Sequence, residues 1–281
     1  MIKEGAQVKE RPIGVFDSGV GGLTVVREMI RRMPYETVFY YADTAHLPYG
    51  PRPLAEIESF ALEITDFLIS KGAKAICIAC NISSAVMLNR LSCELNIPVF
   101  GMIPPGAAAA AEATRNGHIG ILATEGTVKS GAYSRAITEL QPDAVVLERA
   151  CPPFVPLVEN DMIADPCCRD TVAAFLQPLL DEGVDTIVLG CTHYPFLEEH
   201  IHDLIGNSAV VVNPAQRTVA MMQERLQGLD LLTEIAKAPQ HRFYASGEDT
   251  SLRRLVAGEL GLPEAPVYTI DLEKKNAAVT R

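Results

Sequence analysis

No apolar run in this 281-residue chain approaches the roughly 20 residues that a membrane helix needs. The opening MIKEGAQVKERP also lacks the apolar segment of a signal peptide. Both absences predict a cytoplasmic protein with no membrane partner. No Lys/Arg-rich stretch offsets the formal net charge of −11, so nucleic acid is a poor partner. The same charge repels anionic ligands at long range, so an acidic ligand has to be held by local hydroxyls and backbone N–H groups. Seven cysteines, an odd number in a chain this long, do not make a disulfide framework. Cys77 and Cys80 form a CxxC, but AICIAC reads as a strand, where positions three apart face opposite sides. No second ligand pair follows, and Cys167–Cys168 has no histidine near it. No metal is expected.

What the chain does contain is enough apolar material, 48% of residues, for a full core. Its length suits one large domain or two of ordinary size. Short β-branched runs alternate with longer amphipathic ones, which predicts an α/β architecture with a mainly parallel sheet. IGVF (13–16) reads as a strand, DSGVGG as a Gly-rich turn, and LTVVREMIRRM as a helix stopped by Pro34. TVFYYAD (37–43) is a strand leading into the polar, Pro-rich loop TAHLPYGPRP. Residues 54–71 read as a helix with Leu54, Ile57, Phe60, Ala61, Ile64, Phe67 and Leu68 on one face. AICIAC is the third strand, and GAAAAAEATRNG a helix with an Asn-Gly stop. After residue 212 come a helix at about 215–227, a strand at HRFYAS and a closing helix, a tail expected to pack on the N-terminal half.

The chain also repeats itself. FLISKGAKAICIACN (67–81) aligns without gaps against PLLDEGVDTIVLGCT (178–192), and IGVFDSG (13–19) has its partner in IGILATEGT (119–127). Two matches in the same order, at similar offsets, predict two related α/β halves. DSGVGGLT invites a dinucleotide reading, but Thr24 stands where the third glycine belongs and Asp17 would repel the pyrophosphate, so no nucleotide cofactor is expected.

Ligands of open parallel sheets bind beyond the carboxyl ends of the strands. Cys80 and Cys191 occupy that end of matching strands, each followed by groups suited to a helix start: Asn81, Ser83 and Ser84 after the first, Thr192 and Pro195 after the second. Free N–H groups at helix starts suit a carboxylate. Two thiols flanking one bound molecule suit the removal of a proton from one face of a carbon and its return to the other. A thiol ordinarily titrates near about 8.5, so one member can be thiolate while the other stays protonated. Asp17, Glu159 or His193 could orient the thiols or relay protons.

GVFDSGVGGLTV, DTAHLPYGPR, ACN, IGILATEGTVKSGAY, CPPFVPLVE and LGCTHYP resemble, in order, the successive motifs of the glutamate racemase family, over about residues 12 to 200. That resemblance implies two similar doubly wound α/β domains, related by a pseudo-two-fold, with the active site at their interface. Residues 1–102 with 213–281 would form the domain carrying Cys80, and 103–212 the domain carrying Cys191. It implies a cofactor-independent interconversion of L- and D-glutamate that supplies D-glutamate for peptidoglycan, and it allows a homodimer. By position, Cys80 and Cys191 become the two catalytic thiols, with Asp17 supporting the first and His193 and Glu159 the second. Ser18, Pro48, Tyr49, Gly50, Asn81, Thr124, Thr127 and Thr192 become the substrate-binding residues.

One position departs. The family pattern CNT reads CNI here, placing Ile82 where a hydroxyl is expected, with Ser83 next to it as a substitute donor. If that hydroxyl binds the substrate, its loss costs about 0.5–1.5 kcal/mol. Two alternatives follow: a racemase of another acidic amino acid such as aspartate, or a paralogue that binds without turnover. The other cysteines, Cys77, Cys93, Cys151, Cys167 and Cys168, read as structural, and His46, His118, His200, His202 and His241 as surface or structural residues.

Overall fold

The computed structural model describes residues 8–272. Two parallel sheets organise them. The first has six strands in the order β10-β9-β2-β1-β3-β4, where β1 is Ile13–Asp17, β2 Val38–Ala42, β3 Ala75–Ile78, β4 Val99–Gly101, β9 Arg242–Ala245 and β10 Val267–Thr269. The second has four, β6-β5-β7-β8, with β5 His118–Ala123, β6 Val145–Ala150, β7 Thr186–Gly190 and β8 Val210–Val212. β2-β1-β3-β4 and β6-β5-β7-β8 follow the same spatial order, so the repeat in the sequence is a repeat in the fold. Each half is doubly wound, with helices on both faces of its sheet.

The strands read as unbroken apolar runs because both of their faces are covered. Along β1, Ile13 and Val15 point into one layer with Val25, Val26 and Met29 of helix α1 (Leu23–Arg32). Phe16 points into the opposite layer, with Ile64, Phe67 and Leu68 of α2 (Leu54–Ser70) and Met87 and Leu91 of α3 (Asn81–Glu94). In the second half, Ile119 and Ile121 of β5 meet Ala107 and Ala110 of α4 (Ile103–Ala113). Leu122 faces the other way. It joins Val172 and Leu176 from α8 (Pro166–Asp181) and Ile201 from α9 (Glu198–Ile205). Between α4 and α8 run three short helices, α5 (Glu125–Ser130), α6 (Ala132–Leu140) and α7 (Phe154–Glu159).

The tail returns to the first half as expected. Helix α10 (Pro214–Gly228) starts at Asn213, whose side chain accepts from the Ala215 N–H, with Pro214 in the first helical position. It packs against both α1 and α4, and so bridges the halves. β9 then pairs with β2, and β10 closes the sheet edge after α11 (Thr250–Gly258). The sequence pattern gave no sign of β10.

Three local expectations are corrected. AICIAC is not strand throughout: β3 stops at Ile78, and Cys80 is the N-cap residue of α3, its carbonyl accepting from the Ser84 N–H. The helix at 54–70 buries Ile57, Ala61, Ile64, Phe67 and Leu68, but Leu54 in its first turn is exposed and Phe60 only half-buried. No α-helix opens directly after Cys191. A 3-10 turn, Tyr194–Leu197, intervenes before α9, with Pro195 in its first positions.

Candidate active site

The carboxyl ends of both sheets face one cavity of about 170 Å³. Ser18 follows β1, Cys80 and Asn81 follow β3, Thr124 and Thr127 follow β5, and Cys191, Thr192 and His193 follow β7. Pro48, Tyr49 and Gly50 reach the cavity from the loop after β2. Thus every residue expected to be catalytic or substrate-binding lines it except Asp17 and Glu159. Ile82 lines the wall, packed with Tyr49, Ile57 and Cys80, whereas Ser83 is buried and takes no part in the lining. Ser83 does not replace the missing hydroxyl on the cavity surface: its hydroxyl is buried and has no hydrogen-bond partner among the described residues.

Asp17 ends β1 fully buried. Its Oδ2 accepts from the Gly22 N–H at 2.8 Å, fixing the DSGVGG turn, and from the Thr192 hydroxyl of the other half at 3.1 Å. Burial raises its carboxyl above the ordinary value, while His193 and these donors work against the shift. Burial also pushes the Cys80 thiol up to about 12, with the charge of Asp17 adding to the effect and Ser83 partly opposing it. Asp17 therefore bears on Cys80 through its field, with its hydrogen bonds spent on Gly22 and Thr192.

On the other side, His193 Nδ1 lies 3.8 Å from Cys191 Sγ, and its Nε2 lies 2.7 Å from Glu159 Oε1 at the end of α7. Burial disfavours charge on this imidazole, but the Cys191 sulfur and the Glu159 carboxylate outweigh it, and the net shift is well upward. Glu159 moves the opposite way: burial raises it, but the His193 contact leaves it below the ordinary value. The chain Cys191–His193–Glu159 is thus built to carry positive charge beside a thiol.

The glycines of DSGVGG serve this packing. A Cβ on Gly21 would lie 2.5 Å from His193 Nδ1, and one on Gly19 would lie 2.8 Å from Glu159 Oε1. Neither glycine has a positive φ. They are there for close approach of the loop to the imidazole and carboxylate.

His193 has a raised folded pKa, so its contribution to stability is complete below about 6.5 and is lost as pH rises through that raised value. In Glu159→Gln one of the two upward influences is gone. The His193 resonance, followed by NMR, is expected to titrate at lower pH than in the native protein, and the alkaline edge of stability to move down with it. An unmoved titration would mean that Cys191 alone holds the charge.

Several wall residues lie inside the family motifs without standing out in them. Leu47, Pro51, Pro152, Val155 and Pro156 supply apolar lining, and Glu125 the one acidic side chain of the wall. Cys151, read as structural, also lines the cavity; burial raises its thiol to about 12 and its Sγ donates to the Arg149 carbonyl. Its motif CPPFVPLVE was the available signal. Thr124 stands at the N-cap position of α5, yet its hydroxyl pairs with that of Thr127 at 3.0 Å and does not cap the helix. No Lys or Arg among the described residues lines the cavity. Among the described residues, no three His, Cys, Asp or Glu side chains are grouped to hold a metal ion, and no helix is long and apolar enough to cross a membrane.

Comparison with known proteins gives one family. The chain is 42% identical over 253 residues to the glutamate racemase of Exiguobacterium sibiricum, covering 90% of this chain and 93% of the other. Among solved structures, glutamate racemase isoform RacE1 of Bacillus anthracis superposes with a TM-score of 0.89 at 39% identity, covering 94% of this chain and 98% of that one. Glutamate racemase of Francisella tularensis, solved in complex with D-glutamate, gives 0.87 at 30%, covering 95% and 99%. The Asp/Glu/Hydantoin racemase family model matches residues 13–222. With that match spanning most of the chain, and with this cavity between its halves, the chain belongs to the Asp/Glu/Hydantoin racemase family.

Proposed function

We infer that this chain interconverts L- and D-glutamate by proton transfer between two thiols. The observation that carries the mechanism is a single cavity that receives Cys80 from the end of one sheet and Cys191 from the end of the other. The volume lies below the roughly 300–1,000 Å³ of drug-sized sites and suits a small amino acid. Asn81, Thr124, Thr127 and Thr192 hold the carboxylates through neutral donors, as a site without Lys or Arg requires. The thiols belong to two domains, 1–102 with 213–281 and 103–212; for the described residues, 8–272, the membership of the two sheets supports this division, and the ends of those ranges lie outside the described residues.

Cys80 serves as the acid, because burial and Asp17 disfavour its thiolate. Cys191 passes its proton to His193, whose charge Glu159 stabilises, and becomes the base. The Cys191 thiolate takes the Cα proton from one face of the substrate, and Cys80 gives its own proton to the other face. The product has inverted configuration, and the thiols have exchanged roles. The reverse reaction starts from that exchanged state. On this reading the product feeds peptidoglycan assembly in the cytoplasm.

The test is incubation of L-glutamate with the protein in D2O, with no cofactor added, following optical rotation and Cα deuteration together. Rotation is expected to vanish as deuterium enters Cα. A folded protein that exchanges neither enantiomer of glutamate would overturn the proposal, and faster turnover of aspartate would move the substrate to the shorter acid that the Ile82 wall could favour.

A further inference from the structure

Asn81 is 4% exposed and lines the cavity, yet only half of its amide is satisfied by protein. Its Oδ1 accepts a hydrogen bond of 2.7 Å from the Tyr133 hydroxyl, while its buried Nδ2 has no hydrogen-bond partner among the described residues. A buried donor left without an acceptor is costly, and such a group in a cavity wall marks the place of a ligand acceptor. Tyr133 belongs to α6 in the second half and Asn81 to α3 in the first, so the bond crosses between halves. The Tyr133 ring is fully buried against α4, where a Cβ on Gly106 would lie 3.0 Å from the hydroxyl. Burial also raises the phenol above its ordinary pKa, so it stays a neutral O–H donor.

The geometry points to Tyr133 as a positioning residue for substrate binding: its hydroxyl holds the Asn81 oxygen, which turns the Asn81 N–H groups toward a carboxylate of the amino-acid substrate. The two ends of an amide have nearly the same shape, and only their hydrogen bonds decide which way it faces. Turned the other way, Asn81 would present its oxygen to an anionic oxygen of the substrate. Tyr133 does not line the cavity, and its hydroxyl reaches the cavity wall through Asn81. The inference rests on Asn81 being a substrate-binding residue.

The experiment is a double-mutant cycle in the full chain, with steady-state kinetics on both enantiomers of glutamate. Tyr133→Phe keeps the ring and its packing and removes one oxygen. It is expected to raise KM about 3- to 10-fold, the worth of one oriented hydrogen bond, with kcat within about 2-fold. Asn81→Ala is expected to raise KM at least as much, and Tyr133→Phe to add nothing on top of it. Additive effects, or a kcat loss with unchanged KM, would show that Tyr133 is structural and would overturn the inference. So would a silent Tyr133→Phe beside a raised KM in Asn81→Ala, with the reading of the site intact. An unchanged KM in Asn81→Ala would instead remove Asn81 from the binding site, and this inference with it.

Discussion

Cys80→Ser is expected to racemise glutamate at least about 1,000-fold more slowly than the native protein in both directions, and Cys191→Ser to do the same. A positioned acid or base contributes about 10²- to 10⁴-fold, and a serine hydroxyl is a far weaker acid than a thiol. At Cys80, where burial already raises the thiol to about 12, the hydroxyl that replaces it has still less tendency to release a proton. The two losses should not multiply in the double variant, because the thiols act as one unit on one proton. A second signature separates this mechanism from general damage to the site. With one thiol gone, the surviving one can still take a proton from its own face and return it there. Each single variant should therefore exchange Cα hydrogen of one enantiomer with solvent, without inversion, and the two variants should prefer opposite enantiomers. The folded state is spared, since serine fills the same space and both positions are wall residues. Full racemase activity in Cys80→Ser would end the two-thiol account. Symmetrical exchange of both enantiomers by either variant would mean that one group serves both faces.

The fold was largely legible because its signals are local. Strands such as IGVF are buried on both faces and show as unbroken apolar runs. The match of FLISKGAKAICIACN to PLLDEGVDTIVLGCT exposed the repeat because both halves use the same helix, Gly turn and strand, with Gly72 and Gly183 both at positive φ. The same repeat puts Cys80 and Asn81 at a strand end that matches that of Cys191 and Thr192, while the meeting of the two ends in one cavity is implied by the family resemblance and not by the repeat. What escaped were features created by contact between distant segments. Tyr133 sits 52 residues from the amide that it bonds, and nothing in GAYSR announces that partner. Cys151 reads in the sequence as one more buried cysteine, and only the end of β6 at the cavity gives it a place in the wall. The turn after His193 misled because Pro195 fits both a 3-10 and an α start. Leu54 reads as part of an apolar helix face because periodicity does not show which turns of a helix find a packing partner, and its turn is exposed.

The pair Glu36–Lys74, each half of which looks like surface charge in the sequence, is the clearest case of such a hidden contact, and its disruption has the largest expected effect on stability. Lys74 Nζ lies 2.6 Å from Glu36 Oε2, with side chains 0% and 3% exposed. The ammonium also donates to the Lys9 carbonyl, and Glu36 Oε1 accepts from the Thr233 N–H at 2.7 Å. Three segments remote in sequence, around residues 9, 36 and 233, are thereby tied to the start of β3. Lys74→Met keeps the length of the side chain and leaves the Glu36 charge buried without a counter-ion. Removal of one partner from a buried ion pair costs about 3–5 kcal/mol, a large part of the about 5–15 kcal/mol that holds a domain folded. Urea unfolding is expected to show a loss of that size. In the double variant Lys74→Met, Glu36→Leu the uncompensated charge is gone, and much of the loss should be recovered; the remainder reflects the Thr233 N–H left without its acceptor. The pair stands where β2 and β3 begin, while the thiols stand where the strands end, so kcat and KM of the folded fraction should stay at native values. A loss below about 1 kcal/mol in Lys74→Met would mean that Glu36 takes up a proton or finds water, and that the pair does not anchor the first sheet.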